Sequence, residues 1–452
     1  MREARAGKTN RQFATRANYA HGRARPGHTL CVDNFTHSVI GIVAGDSVAR
    51  STRPTDGGLS ADTRRAFFVA LAVIGGNLPD SDLIVAYSGF TRDKLAYLLQ
   101  HRGYTHTIIG CIALALLLYG GAELFAKLRK LTLTRRDHLA LLGMALFGTL
   151  LHLGMDSLNS YGVHPFWPFN NEWFYGDSVF IVEPMYWIAA APTFFLVRTI
   201  WARIVIGFLL LVALGATVFS NPARPAWYIS VILLTALLLL VGKRASARTA
   251  SLTSAAVTVG VTAFFILSGR VAAHRVEAAV AQSFPSEQSV DQVLSPGLAN
   301  PFCWDVLTVQ MRDGEYTARQ AVLANAPGVV PVGHCFGMLT PPVGTAPMTP
   351  VSAPATAAIH WIRQFSMPVD RLAAVAAKDC EARELLQFAR VPYATEVDGQ
   401  WVVGDLRFDR ERALGMAEVA LDSQAPDRCR IHVPWQAPRA ALIDNPGTPA
   451  GY

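Results

Sequence analysis

The feature that most constrains this chain is a series of apolar runs with the length of membrane-spanning helices. A helix of about 20 apolar residues crosses a bilayer. Six runs reach this length or come close to it: 107–126, 139–155, 179–197, 204–219, 226–241 and 252–267. Two shorter runs precede them, at 38–48 and 66–78, and indicate short helices packed inside a bundle. The sequence predicts an all-α integral membrane helical bundle of about six full spans plus two short N-terminal helices.

The composition divides the chain into a membrane part and a soluble part. Only 16% of the residues are charged, against about 25% in soluble proteins, and this deficit falls between residues 66 and 268. Residues after 270 have an ordinary soluble composition, which predicts a C-terminal α+β domain. The predicted divisions are a basic extension (1–31), a metal-site helical core (32–190), additional transmembrane helices (191–269) and an extracytoplasmic soluble domain (270–452).

The N-terminal extension is basic and lacks the apolar core of a signal peptide. We expect it either to be disordered or not to belong to the natural protein, with translation beginning near Val32 in the second case.

The distribution of basic residues predicts the orientation in the membrane. Basic side chains fill every second connection between apolar runs and so mark the cytoplasmic side. These connections are 50–65, 127–136, 198–203 and 243–248. The alternate connections and the soluble domain then lie outside an inner (plasma) membrane that the chain crosses several times. The net charge of +7 comes with no nucleic-acid-binding pattern, so nucleic acid is excluded as a partner.

Four of the six cysteines lie in the soluble domain, at Cys303, Cys335, Cys380 and Cys429. An oxidising compartment would allow three pairings among them, and the sequence does not choose between these pairings or unpaired thiols.

Histidines and aspartates lie at the predicted outer ends of the apolar runs. His152 and Asp156 are four residues apart, which places both side chains on one face of a helix. Imidazole and carboxylate ligands without thiolate suit zinc, and also manganese or iron(II), in a site of one or two ions. Each residue alone has a structural interpretation as a cap or a core hydrogen-bonding group. Together they predict a metal site, with the candidate ligands His37, Asp80, Asp82, His101, His106, His152 and Asp156.

Five stretches carry a resemblance to a known family. They are "DNFTHSVIG", "GGNLPDSD", "HRGYTHT", "HLGMDSLNSYG" and "WPFNNEWFYGDSVFIVEP", between Asp33 and Pro184. Their order and density resemble the YdjM-like family of inner-membrane proteins, described as metal-dependent hydrolases. The resemblance implies a helical membrane bundle with hydrolase activity. Glu183 departs from the family, which more usually has Asp before this proline.

The predicted mechanism is hydrolysis at the outer membrane–water boundary. A divalent ion would activate water, Asp177 or Glu183 would accept its proton, and Arg102 would hold an anionic group of the substrate. This location suits membrane lipids or another amphiphilic small molecule, such as a lipid ester or lipid phosphodiester. Two alternatives stay open: a metal-ion or solute transporter, and a non-catalytic membrane scaffold. The sequence determines neither the substrate nor the oligomeric state.

Overall fold

The structure, a computed structural model, describes residues 30–87, 94–220, 225–335, 344–411, 414–421 and 431–441. Most of the basic extension 1–31 lies outside these residues. The described helices are α1 (Leu30–Ser51), α2 (Ala61–Gly75), α3 (Asp82–Tyr87), α4 (Lys94–Gln100), α5 (Ile108–Leu128), α6 (Arg135–Asp156), α7 (Pro184–Ala189), α8 (Ile200–Ser220), α9 (Pro225–Arg244), α10 (Ala247–Ser283), α11 (Val369–Lys378) and α12 (Cys380–Leu386). The described strands are β1 (Gln288–Gly297), β2 (Asn300–Arg312), β3 (Glu315–Ala324), β4 (Thr349–Pro350), β5 (Ile359–Pro368), β6 (Pro392–Val397), β7 (Gln400–Asp405) and β8 (Glu418–Ala420).

Five helices of the described residues are long and apolar enough to cross a membrane, namely α5, α6, α8, α9 and α10. They correspond to five of the six predicted spans. Many of their large apolar side chains, such as Leu117 and Leu211, face outward from the protein. A bilayer solvates such side chains as well as a protein interior does.

The remaining predicted span, 179–197, is not a single helix, which corrects that prediction. It folds as the short helix α7 followed by a 3₁₀ turn, Ala191–Phe195. Pro184 begins α7 at a position where a missing N–H costs nothing, and Pro192 interrupts regular α-helical hydrogen bonding. All six residues of α7 are buried. The apolar character of this run therefore reflects burial inside the bundle.

The two N-terminal helices are longer than predicted, with 22 residues in α1 and 15 in α2. They pack against each other at two glycines of α1 that lie one turn apart, Gly41 and Gly45. A Cβ atom at Gly45 would lie 2.6 Å from the carbonyl oxygen of Phe68 in α2. Only glycine therefore allows the two backbones to approach this closely.

The two ends of the bundle have different chemistry. At one end, Asp46 forms ion pairs with Arg50 and Arg65, and Arg65 also donates to the carbonyl oxygen of Leu196. At the other end, Glu183 accepts a hydrogen bond from the Ala299 N–H between β1 and β2. The segment from Glu183 to Leu196 thus joins the two ends of the bundle, although it contains no long helix.

The C-terminal domain begins where α10 leaves the bundle. This helix continues to Ser283, past the predicted boundary at residue 270. The described strands form two antiparallel sheets, a five-stranded sheet in the order β1-β2-β3-β5-β4 and a three-stranded sheet in the order β6-β7-β8. One hydrophobic core contains side chains from these sheets together with Leu95, Leu98 and Leu99 of α4. The domain is therefore packed directly onto the connection between α2 and α5.

A disulfide links Cys303 of β2 to Cys335. Cys380 is also disulfide-bonded, and Cys429 lies outside the described residues.

Candidate metal centre

Three chain segments converge at the end of the bundle that carries the C-terminal domain. Helix α6 contributes His152 and Asp156 from its last turn. The 3₁₀ turn Pro79–Ser81 contributes Asp80, since Pro79 directs the chain out of the regular helical path after α2. The 3₁₀ turn Tyr104–His106 contributes His106 just before Thr107 caps the start of α5.

Four donor atoms meet at one point between these segments. Nε2 of His106 lies 3.3 Å from Asp80 Oδ1 and 3.2 Å from Asp156 Oδ2. Nε2 of His152 lies 3.5 Å from Asp80 Oδ1 and 3.4 Å from Asp156 Oδ2. The two Nε2 atoms lie 3.0 Å apart. Four ligands at tetrahedral positions around zinc, with bonds of about 2.0–2.1 Å, lie about 3.3 Å from one another. The donor set therefore fits a tetrahedral cation site.

Two features of this group are poorly explained by protons alone. Asp156 Oδ2 is buried and has no partner at hydrogen-bonding geometry among the described residues, although two imidazole nitrogens lie near it. Two imidazole Nε2 atoms that face each other repel unless a proton or a cation lies between them. Both observations are expected of ligands that face a common metal ion.

Hydrogen bonds behind the two histidines fix the direction of their rings. Nδ1 of His152 donates to the carbonyl oxygen of Gly76 at 2.8 Å, which leaves Nε2 as the atom with a free lone pair. Nδ1 of His106 faces Asp82 Oδ2 at 3.3 Å and the Thr105 hydroxyl at 3.0 Å. Metal-binding histidines in proteins are held in this way, with a carbonyl or carboxylate on the ring nitrogen away from the ion.

A second group of possible ligands lies beside the first and consists of Asp80, Asp82 and His101. Asp80 belongs to both groups. Nδ1 of His101 lies 3.0 Å from Asp82 Oδ1. The backbone N–H of Arg102 and the hydroxyl of Thr105 both donate to Asp82 Oδ2. Asp82 is thus held by three neighbours as it contacts His101 and His106.

His37 lies next to the four-donor group and is not part of it. Its Nε2 lies 3.3 Å from Asp156 Oδ1, the oxygen on the other side of that carboxylate. Its ring stacks on His152 with 4.1 Å between the centroids.

Asp80 and His106, which lie outside the spanning helices, shift each other's pKa values. Burial alone would raise the pKa of Asp80, but hydrogen bonds from His106 and His152 hold that pKa below its usual range. Burial also opposes charge on His106, but Asp156, Asp80 and Asp82 raise the pKa of His106 well above its usual value. An environment that retains a proton on a buried imidazole can instead hold a metal cation.

Arg102 lies inside the site and contacts its acidic groups. Its Nε lies 3.2 Å from Asp156 Oδ2, and its Nη1 donates to Asn159 Oδ1 at 3.0 Å. With neutral histidines, this guanidinium and the three carboxylates of Asp80, Asp82 and Asp156 leave a net charge of minus two. A divalent cation would neutralise that charge exactly where the donors converge.

The remaining two predicted residues are not among the four converging donors. Asp177 forms a bidentate ion pair with Arg390 of the C-terminal domain, at 2.9 and 2.8 Å. Glu183 caps α7 by accepting from the Met185 N–H. It also lines a cavity that contains His37 and Asp156 in its wall. Glu183 is therefore near the proposed ligands, whereas Asp177 joins the membrane part to the C-terminal domain.

Two residues that contact the ligands were not singled out from the sequence. Thr105 fixes Asp82, and Asn159 accepts from Arg102. Both belong to the stretches "HRGYTH" and "MDSLN" that supplied ligands. The available signal was their position in those stretches, since uncharged side chains carry no metal-ligand pattern of their own.

These observations define an integral membrane protein with a buried His/Asp centre at one end of its helical bundle. Residues 32–228 match the YdjM inner membrane protein family, the family that the sequence resemblance indicated. The family and the apolar helices identify an inner-membrane protein. No curated protein and no solved structure matches the chain.

Proposed function

We propose that the protein is a membrane-embedded, metal-dependent hydrolase that acts on a lipid ester, a lipid phosphodiester or a similar amphiphile. The observation that carries the proposal is the convergence of two imidazole nitrogens and two carboxylate oxygens, at 3.0–3.5 Å in the contacts given above. Asp80, His106, His152 and Asp156 would hold the ion, most suitably zinc, with manganese or iron as other candidates. Asp80, Asp82 and His101 would hold a second ion if two are bound.

A divalent ion in this position would lower the pKa of bound water toward ~7 and polarise the scissile group. The chain's own groups supply the remaining functions. Asp82 and the Gly76 carbonyl orient the two imidazoles, and Arg102 holds Asp156 while balancing its charge. Arg102 is thereby engaged with the ligand, so we propose this positioning role for it in place of the predicted anion clamp.

Glu183 is the better of the two predicted proton acceptors. Burial raises the pKa of Glu183 to about 8 despite two backbone N–H donors, and a carboxyl group that titrates near neutrality can accept and return a proton. It lines the same cavity as Asp156. Asp177 is neutralised by Arg390 instead.

We propose an amphiphilic substrate because the centre lies at one end of a membrane-spanning bundle, where such a molecule can reach it from the bilayer. The cavity beside Asp156 is lined by polar side chains, which include His37, Asn159 and Glu183, and by apolar ones, which include Met155 and Val179. A ligand there would place a polar group near the proposed ion and an apolar part against the bundle.

We further propose that the metal centre and the C-terminal domain lie outside the inner membrane. The basic connections that precede α2 (50–65) and α6 (127–136) lie at the end of the bundle opposite to the centre. Cytoplasmic connections are enriched in basic residues. The disulfide between Cys303 and Cys335 suits an oxidising compartment.

The metal site is tested by elemental analysis of detergent-purified protein. We expect one or two equivalents of divalent metal per wild-type chain and loss of that metal in His152→Ala. The matched control is His138→Ala on the same helix, because His138 is half-exposed and pairs with Glu123 at the other end. A metal-free wild type, or a His152→Ala variant that keeps its metal, would contradict the site.

The reaction is tested with the same proteins. We expect the wild type to hydrolyse lipid-like esters or phosphodiesters, and His152→Ala to be inactive while eluting as a monodisperse protein. Zinc or manganese uptake into liposomes by the wild type, without any hydrolysis, would instead support a transporter.

A further inference from the structure

The outer side of the proposed metal centre is covered by the C-terminal domain. Trp435, a residue of that domain, is almost fully buried. Its indole stacks on His164 with 4.3 Å between ring centroids and meets Tyr104 edge-on at 5.3 Å. The next residue, Gln436, donates its N–H to the Asn171 carbonyl at 2.9 Å. Residues 435–436 thus contact Tyr104, in the turn that contributes His106, and the stretch 164–171, which follows Asp156 in the chain.

The indole packs directly on the turn that precedes His106. A Cβ atom at Gly103 would lie 2.6 Å from Cη2 of Trp435, so glycine is required for this approach. The preceding residue, Arg102, has a φ of 63°, a left-handed conformation that is unfavourable for a non-glycine residue. Such a conformation persists only where the surroundings impose it.

His164 links Trp435 to that unfavourable conformation. Its Nδ1 donates to the Arg102 carbonyl oxygen at 3.3 Å, while the Arg102 N–H donates to Asp82. Burial lowers the pKa of His164 to about 3, so the ring stays neutral. Trp173 on one side and Trp435 on the other hold the ring in place.

A second contact supports the segment that follows Asp156. Arg407 of the C-terminal domain donates to the carbonyl oxygens of Ser160 at 2.6 Å and Tyr161 at 3.3 Å. The ring of Tyr161 packs on Phe388 of the same domain, and the guanidinium of Arg102 lies 4.9 Å from the centre of that ring.

We propose that the C-terminal domain is a structural part of the metal centre, with Trp435 and Arg407 as positioning residues. Trp435 holds the turn 101–106 through His164 and Gly103, and Arg407 holds 159–161 beneath Arg102. Metal binding and the docking of this domain then stabilise each other, because coupling between two sites is reciprocal. The part of this inference that concerns metal rests on the proposed function.

The test compares two buried tryptophans of the C-terminal domain in the full chain. Trp435→Ala removes the contact with 101–106. Trp361→Ala removes an equally buried indole, which packs on Phe284 and donates to Ser283 at the end of α10, away from the centre. Groups that orient metal ligands typically contribute 10–100-fold to metal affinity. We expect a loss of about that size, measured by chelator competition, in Trp435→Ala and not in Trp361→Ala, and partial recovery in Trp435→Phe.

A second measurement separates this inference from the metal assignment. Hydrogen exchange of metal-stripped protein should become faster at 101–106 in Trp435→Ala and stay unchanged there in Trp361→Ala. Unchanged exchange at 101–106 in Trp435→Ala, or equal acceleration in both variants, would overturn the positioning role. A wild type that binds no metal would refute the proposed function, and the exchange result would still decide the inference.

Discussion

Two histidines of α6 show that position along one helix decides the role of a side chain. His138 near the first turn is half-exposed and contacts Glu123 at 2.6 Å. His152 in the last turn is fully buried between carboxylates and faces a second imidazole. Their residue type is identical, but His138 makes its polar contacts with side chains of α5, whereas His152 contacts the Gly76 carbonyl after α2 and the turn residues Asp80 and His106. This difference makes one histidine a control for the other.

The stability of the protein should depend on pH through Glu183. Burial raises the pKa of Glu183 from 4.5 to about 8, so above pH 4.5 the folded state keeps a proton that the unfolded state loses. The stability linked to this group is complete below that pH and falls as the pH rises toward about 8. We expect Glu183→Gln to flatten this decline in thermal unfolding curves recorded in detergent.

Glu172→Gln is the matched control, since Glu172 is exposed, and it should leave the decline unchanged. An equally steep decline in Glu183→Gln would show that another group is responsible.

At the scale of elements, close backbone contact rather than side-chain volume joins α1 to α2. Gly41 and Gly45 place backbone atoms of α1 against Ala72 and Phe68 of α2. This pair of helices carries His37 at one end of α1 and leads into Asp80 after α2. The spacing of the two helices therefore affects the geometry of the metal centre.

Gly45→Ala should destabilise the bundle, because its Cβ atom would lie 2.6 Å from a backbone oxygen that has no flexible side chain to move. Overpacking of this kind typically costs about 1–3 kcal/mol. Gly143→Ala in α6 is the control, since a Cβ atom there has no neighbour within 4 Å. Thermal unfolding in detergent should show a lower midpoint for Gly45→Ala only, and equal midpoints would contradict this packing.

At the scale of the whole molecule, the metal centre and the C-terminal domain share one end of the bundle, and the basic connections occupy the other. The packing of α4 into the core of the C-terminal domain makes the two parts one folded unit. The metal centre and the C-terminal domain must therefore lie on the same side of the membrane.

A reporter that is active only in the cytoplasm should give no signal when fused after residue 452. This follows from the proposed orientation, in which the basic connections of the opposite end would retain that end in the cytoplasm. The control is the same reporter placed between α5 and α6, near Arg129, where it should be active. A strong signal from the C-terminal fusion would reverse the proposed orientation.

Thiol labelling should give the same answer independently. Under denaturing, non-reducing conditions, Cys303 and Cys335 should resist alkylation, whereas Cys111, which is free in the structure, should react. Closing a loop with a sequence separation of 32 residues should contribute about 4 kcal/mol to stability. Complete alkylation of Cys303 and Cys335 would place the domain in a reducing compartment.

Local patterns in the sequence predict the membrane character, five helices long enough to span a membrane, and the candidate ligands that lie close together in the structure. Apolar length and the four-residue spacing of His152 and Asp156 are local properties, so they can be read without a structure. The run 179–197 shows the limit of this reasoning, because hydropathy does not distinguish burial in protein from burial in lipid.

The division of roles among the polar residues depends on tertiary packing. Three contacts join distant parts of the chain: His106 Nε2 with Asp80, Asp177 with Arg390, and Trp435 with Gly103. Such contacts depend on how helices and sheets pack, and no local pattern specifies them. The sequence therefore identifies the components of the centre, whereas packing of the C-terminal domain against the bundle determines their arrangement.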